Sequence, residues 1–327
     1  MKPGNRTTVL VGLSGFMLAV LMLCPSPGQA QTWPQQAVKF IVPLGPSSGA
    51  DITARLLGER LQKVWGQSVV IENRAGGDGM VGIQAFLTAN DEHTLLFGPS
   101  GSYTAHPYMR ASIPYNANDI IPIVRTTSTV VAVAVPVALG VNTLGEFVEL
   151  ARRQPGKLNW STVNGINDFQ FMAMVKAAGI DTVRVPYRDV VQAANDLGEN
   201  RIQIYSSAYA TVRPLVESGK LKIIALTNTA RVSFLPDVPT TREAGFPALE
   251  FDGLVGIYGT RHIPPAARAK IEKDVLDILE DPAIADRVTA TGTVVQPGAT
   301  AEFVASIEQQ KAFAAQSAKI LGLKIAE

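Results

Sequence analysis

One unit recurs along this chain and restricts its fold more than any other feature. A short apolar run meets a turn of very small residues, and helical periodicity follows. Residues 38–44 lead through Gly45 to Ala50 into a helix expected near 51–65, where Ile52, Leu56, Leu57, Leu61 and Val64 share one face. "SVVIE" (68–72) leads through "NRAGGDG" to a helix near 80–89, and "TLLF" (94–97) through "GPSGS" to one near 102–109. Later, "LNWS" precedes a helix near 168–178, "VRVPY" one near 189–197 and "IQIYS" one near 208–218; "LKIIALT" is a further strand. Strands alternating with helices specify an α/β protein with mainly parallel sheets.

Two apolar, extended stretches break the rhythm: "VVAVAVP" (130–136) and "LEFDGLVGIYG" (249–259). They bracket a block with strand–helix units of its own, so they read as strands crossing between two domains. The expected division is 31–130 plus 258–327 for a discontinuous first domain and 131–257 for the second. A single larger sheet containing both strands is the alternative. Two helices are expected near the C-terminus, at 264–281 and 300–321, the first opened by Pro264-Pro265 and ended by Asp281-Pro282.

Residues 1–30 read as a signal peptide rather than as part of the fold. Lys2 and Arg6 supply a basic start, Val9 to Leu23 is too short an apolar run to span a bilayer comfortably, and "PSPGQA" ends in small residues. Cleavage is expected after Ala30, delivering the protein to the periplasm. Bulky Leu23 before Cys24 argues against a lipidation site. Cys24 is the only cysteine, so the mature chain has no disulfide, thiol nucleophile or Cys-based metal site. The net charge of +1 shifts slightly negative when Lys2 and Arg6 are removed. That balance excludes a polycation built for nucleic acid.

The chemistry of catalysis is missing. His93, His106 and His262 are the only histidines; none has metal-ligand spacing to another, and each reads as a surface or turn residue. There is no G-x-S-x-G elbow and no P-loop, and the Gly-rich "AGGDGMVG" (75–82) reads as a turn that opens a helix. Asp181, Asp189 and Asp196 read as helix caps or solvent-facing groups. The expectation is a protein that is not an enzyme, with no cofactor and no metal.

The positive signal lies in the turns. At a strand-to-helix turn the first backbone N–H groups lack helical partners and carry the positive end of the helix dipole. Small side chains let a ligand approach them, and Ser and Thr add uncharged donors. Three such turns, 45–50, 73–79 and 98–102, fall early in the chain and a fourth, 162–167, in the middle block. In parallel sheets they share the carboxyl edge, where α/β proteins bind ligands. Facing one another across two domains, they suit a carboxylate.

Several stretches carry a family resemblance: "GKLKIIALTNTARVSFLPDVPTTREAGFP" (219–247), "IVPLGPSSGADITAR" (41–55), "GQSVVIENRAGGDGMVG" (66–82), "TLLFGPSGS" (94–102), "IPYNANDIIPI" (113–123), "PGKLNWST" (155–162) and "VPYRDVVQAANDL" (185–197). Over nearly the whole mature chain the sequence resembles the Bug (Bordetella uptake gene) periplasmic receptors of tripartite tricarboxylate transporters. The resemblance implies a two-domain periplasmic-binding-protein architecture of the type II, flytrap kind, acting as a monomer. It implies capture of a small organic acid and delivery to the membrane permease subunits. A sensing role, with the closed form read by a membrane sensor kinase, is the alternative. Carried over position by position, it points to Ser47, Ser48, Gly77, Asp78, Ser100, Ser102, Thr162 and Asn164, with Ser206 and Ser207 as further candidates. Departures from the pattern are Ser47-Ser48 and Asp78 where glycines are usual, Asp189 for a glycine, and Leu254 where a Trp is common.

Overall fold

A mostly apolar run makes a strand with little exposure on either face, and Val38–Val42 (β1) is such a strand, buried except at Lys39. Its helix, Gly49–Trp65 (α1), begins where Ser48 caps it and stops at Gly66, whose φ of 66° ends the helix in the left-handed conformation. The computed structural model describes residues 33–109, 112–163, 165–187 and 189–323. The expected signal peptide and the cleavage point after Ala30 lie outside the described residues. The described residues from Gln36 onward form one compact unit.

The same unit repeats. Val69–Asn73 (β2) precedes Met80–Ala89 (α2), and Thr94–Pro99 (β3) precedes Ser100–Met109 (α3). Ile121–Thr129 (β4) and Val131–Pro136 (β5) follow, then Leu144–Arg153 (α4), Asn159–Thr162 (β6), Ile166–Ala177 (α5), Val183–Arg184 (β7) and Val190–Gly198 (α6). Ile204–Ala208 (β8), Tyr209–Glu217 (α7), Leu221–Leu226 (β9) and Gly253–Gly259 (β10) come next. Pro265–Leu279 (α8), Pro282–Thr289 (α9), Thr293–Gly298 (β11) and Thr300–Leu321 (α10) complete the order.

The strands form two sheets, β11-β4-β10-β3-β1-β2 and β7-β6-β8-β5-β9. Each, with its helices, is a lobe. The sheets are mixed, where mainly parallel sheets were expected. In the first, β1 runs parallel to β2 and β3, while β10 opposes β3 and β4. In the second, β6 runs parallel to β7 and β8, while β5 opposes β8 and β9. The cause is topological. A strand arriving from the other lobe enters at the facing edge, where the βα strands end, so it runs against them.

The two apolar stretches read as crossing strands each lie within one sheet. Val130 alone separates β4 in the first sheet from β5 in the second, and residues 227–252 make the return passage. All of β10 pairs in the first sheet, so the expected division after residue 257 falls inside a strand. The C-terminal region also differs from expectation. Asp281-Pro282 does not simply end a helix: Asp281 caps α9 through the Ala283 N–H at 2.9 Å, and Pro282 sits in its first turn. That short helix and β11 were hidden by their length.

Packing is aromatic in both lobes. Phe40 stacks on Phe97 with ring centroids 5.8 Å apart and meets Trp65 edge-on. In the second lobe Trp160 lies 4.8 Å from Phe171. Among the described residues no helix is long and apolar enough to cross a membrane.

Candidate functional site

The first turn is held by its own carboxylate. Ser48 Oγ accepts the Asp51 N–H, and Asp51 in return accepts the Ser47 N–H at 2.9 Å, a variant of the capping box. Asp51 is only 2 % exposed. It also accepts Arg55 Nε at 3.1 Å and Asn73 Nδ2 at 2.9 Å. Burial pushes the Asp51 carboxyl up, but hydrogen bonds from Arg55, the Ser47 N–H and Asn73, with the Arg55 charge, outweigh it and hold the group below the usual carboxylate value. Asn73, at the end of β2, also donates to Leu44 O at 3.1 Å. The first turn is thereby tied to the second.

The Ser48 proton remains available to a ligand, because its oxygen serves as the acceptor in the cap. Ser47 is exposed, and its hydroxyl has no partner among the described residues. The N–H groups of Gly49 and Ala50 stand at the open end of α1.

The glycine-rich turn is shaped by its backbone. Gly76, Gly77, Asp78 and Gly79 have φ of 136°, 55°, 58° and 97°, a run that glycine adopts without cost and other residues resist. Ser47, at φ 66°, is also left-handed. Thus two of the positions where glycine is usual hold a polar side chain in a conformation that favours glycine. Asp78 is half-buried.

Pro43, one residue past β1, is the point on which the turns converge. A β-carbon on Gly98 would lie 2.8 Å from the Pro43 ring, and one on Gly82 would lie 2.7 Å from Pro43 Cα. One on Gly79 would sit 3.2 Å from Ser102 Oγ and 3.5 Å from Pro43 Cβ. These glycines bring the turns at 43–51, 76–82 and 98–102 together. Ser102 is half-buried beside Gly79, and its hydroxyl has no partner among the described residues. Ser100 is fully buried instead, donating to Gln310 Oε1 at 2.6 Å.

The second lobe meets this cluster. A β-carbon on Gly101, in the first turn of α3, would lie 3.0 Å from Ile166, the first residue of α5. Thr162 gives its proton to Asp168 Oδ1 at 2.9 Å, so towards a ligand it can only accept. Asp168 is buried and takes a bidentate pair from Arg184, at 2.9 and 2.8 Å. Asn164 lies outside the described residues. Ser206 and Ser207 are fully buried. Ser206 Oγ donates to Asn167 Oδ1 at 3.0 Å, and Ser207 Oγ bonds the neighbouring Ala208 O and the Tyr205 hydroxyl.

The candidate residues divide by position. Ser47, Ser48, Gly77, Asp78 and Ser102 lie on the converging turns. Ser100, Ser206 and Ser207 have their hydroxyls committed inside the lobes. Leu254 is a core residue, packed with Tyr103 and Phe303. His93 and His106, expected at the surface or in a turn, are both buried: His93 lies in the bend before β3, and His106 lies within α3, where its Nδ1 meets Tyr115 OH. His262 is exposed in a turn, and Asp189 caps α6 through the Val191 N–H at 2.8 Å.

Two further features have no motif in the sequence. Thr293, at the start of β11, sits where a β-carbon on Gly49 would be 2.9 Å from its hydroxyl; Gly292 packs against the first turn of α7 at Ala210. The alternating "TGTVV" pattern was their only signal. The S-x-x-D spacing at 48–51 was legible as a capping signature, but the burial of Asp51 was not. Among the described residues no group of three His, Cys, Asp or Glu could hold a metal ion.

Residues 53–319 match the model of the tripartite tricarboxylate transporter family receptor. The chain belongs to that family. A curated relative from Bordetella bronchiseptica, a UPF0065 protein, is 27% identical over 306 residues, covering 90% of this chain and 89% of that protein. BugT of Bordetella pertussis is 25% identical, covering 91% and 94%. Among solved structures, a periplasmic transporter superposes with a TM-score of 0.75 at 26% identity, over 89% of this chain and 99% of that one. Rpa4515 of R. palustris with adipate gives 0.75 at 24%, over 89% and 99%. MatC of Rhodopseudomonas palustris with bound malate gives 0.73 at 23%, over 87% and 99%. These structures share the fold of this chain.

Proposed function

We propose that this receptor captures a small organic acid by its carboxylate in the cleft between its lobes, and hands it to the membrane permease of a tripartite transporter. The observation that carries the reading is the convergence on Pro43 of three turns whose free groups are neutral donors. Ser47, Ser48 and Ser102 offer hydroxyls, α1 offers N–H groups at its open end, and the Gly77–Asp78 segment offers backbone. Thr162 supplies an acceptor from the facing lobe. The ligands in two structural relatives, adipate and malate, are carboxylates, in keeping with this chemistry. The signal-like N-terminus and the family support a periplasmic location for the working protein. The lobes, joined at Val130 and by residues 227–252, then serve as the two closing domains.

A thermal-shift panel of mono-, di-, hydroxy- and amino-carboxylates tests this on the purified protein. An acid present at a hundredfold its dissociation constant adds about 2.7 kcal/mol of stability, a shift that is readily measured. A panel in which no acid raises the Tm would overturn the ligand class.

A further inference from the structure

Four polar side chains connect every passage between the lobes to the cleft turn that starts α3. Asn228, buried on the return passage, accepts the Val131 N–H at 3.1 Å and donates to Thr129 O at 3.1 Å, both on the outward passage. It also reaches Asp252 Oδ1 at 3.3 Å, on the final approach to β10. Asp252 in turn accepts the Thr229 N–H and hydroxyl, at 3.1 and 2.7 Å. The carbonyl of Asp252 takes Gln310 Nε2 at 2.7 Å, and Gln310 Oε1 takes the Ser100 hydroxyl at 2.6 Å.

Gln310 is 3 % exposed and lies on α10. A buried amide must satisfy its donor and its acceptor together. It therefore holds the hinge through one end and the first residue of α3 through the other. An open groove of about 190 Å³ borders Ser128, Asn228, Thr229 and Asp252.

We propose that Gln310 is a positioning residue that couples the hinge to the cleft turn, so that movement of the lobes and the setting of the α3 N-terminus are one event. This rests on the carboxylate-receptor reading only for what the event accomplishes. The network itself is testable with no acid present.

The experiment is amide hydrogen exchange on the full chain without added acid, in wild type, Ser100→Ala and Gln310→Leu. Ser100 touches neither Val131 nor Thr229, yet Ser100→Ala is expected to speed exchange at both amides by about fivefold, the effect of losing one hydrogen bond. Gln310→Leu, close in volume but unable to hydrogen-bond, is expected to do the same at those amides and in residues 100–104 together. Exchange that rises only beside the substituted residue, with the hinge amides unchanged in both variants, overturns the coupling. Titration of wild type with malate and adipate is the separate arm. Failure to bind either bears on the receptor's ligand and leaves the exchange result standing, whereas unaltered hinge exchange with intact binding removes the relay alone.

Discussion

Ser47 and Ser48 are adjacent but have different tasks. Ser48 caps α1, so Ser48→Ala is expected to cost about 1 kcal/mol of stability in denaturant unfolding without acid. Ser47 makes no side-chain bond among the described residues, and Ser47→Ala should stay within about 0.5 kcal/mol. Calorimetric titration with the acid chosen by the panel should find each variant weaker by about 1 kcal/mol, the worth of one hydroxyl donor. Undiminished affinity in both would move the ligand off this turn. Asp51 is the residue that pH addresses. Its folded value is depressed, so its contribution is complete above the ordinary carboxylate value of about 3.9 and is lost as pH falls through the lower folded one. Acidification below about pH 4 should lower the Tm of wild type, and Asp51→Asn should show a shallower fall because that contribution is already gone. Equal slopes would assign the acid sensitivity to other depressed carboxylates, Glu72, Asp196 and Glu243.

At the scale of elements, the converging turns are held by close approach of backbone. Gly82 lies inside α2 with an ordinary helical backbone, so conformational freedom does not explain it. Its neighbours do: a β-carbon there would meet Pro43 Cα at 2.7 Å and Arg74 O at 2.9 Å. Gly82→Ala must push the first and second turns apart, and a loss of about 1–3 kcal/mol is expected by thermal or denaturant unfolding. A neutral result would show that α2 can slide away from β1. From the sequence, "AGGDGMVG" was legible as a turn with unusual backbone freedom. That its last glycine answers a proline 39 positions earlier was not legible, because the contact exists only once β1 and α2 pack.

At the scale of the whole molecule, the lobes meet along an apolar seam. Tyr108 of α3 stacks on Phe169 of α5 with centroids 5.9 Å apart, and Ala314 and Ala318 of α10 join the same cluster. Phe169→Ala should cost about 3 kcal/mol for the buried ring. It should also loosen the seam, seen as a larger radius of gyration in small-angle scattering. An unchanged radius, with the stability loss present, would show that the passages at Val130 and 227–252 alone set the lobe arrangement.

What the sequence determined by itself is local. Apolar runs ended by small residues specified strands and helices because propensity, capping and periodicity act over a few residues. Thus α1, α2, α5 and α10 are found within a few residues of their expected bounds. Recurring motifs were enough to indicate the receptor family. Tertiary structure alone decided which way the strands run, since direction depends on the edge at which a strand enters its sheet. It also divided the candidate serines. Ser100 and Ser102 are two residues apart in one turn with the same chemistry, yet one hydroxyl is bonded to Gln310 in the interior and the other lies beside Gly79. Partners 210 residues apart in the chain settle that difference, and no local pattern encodes it.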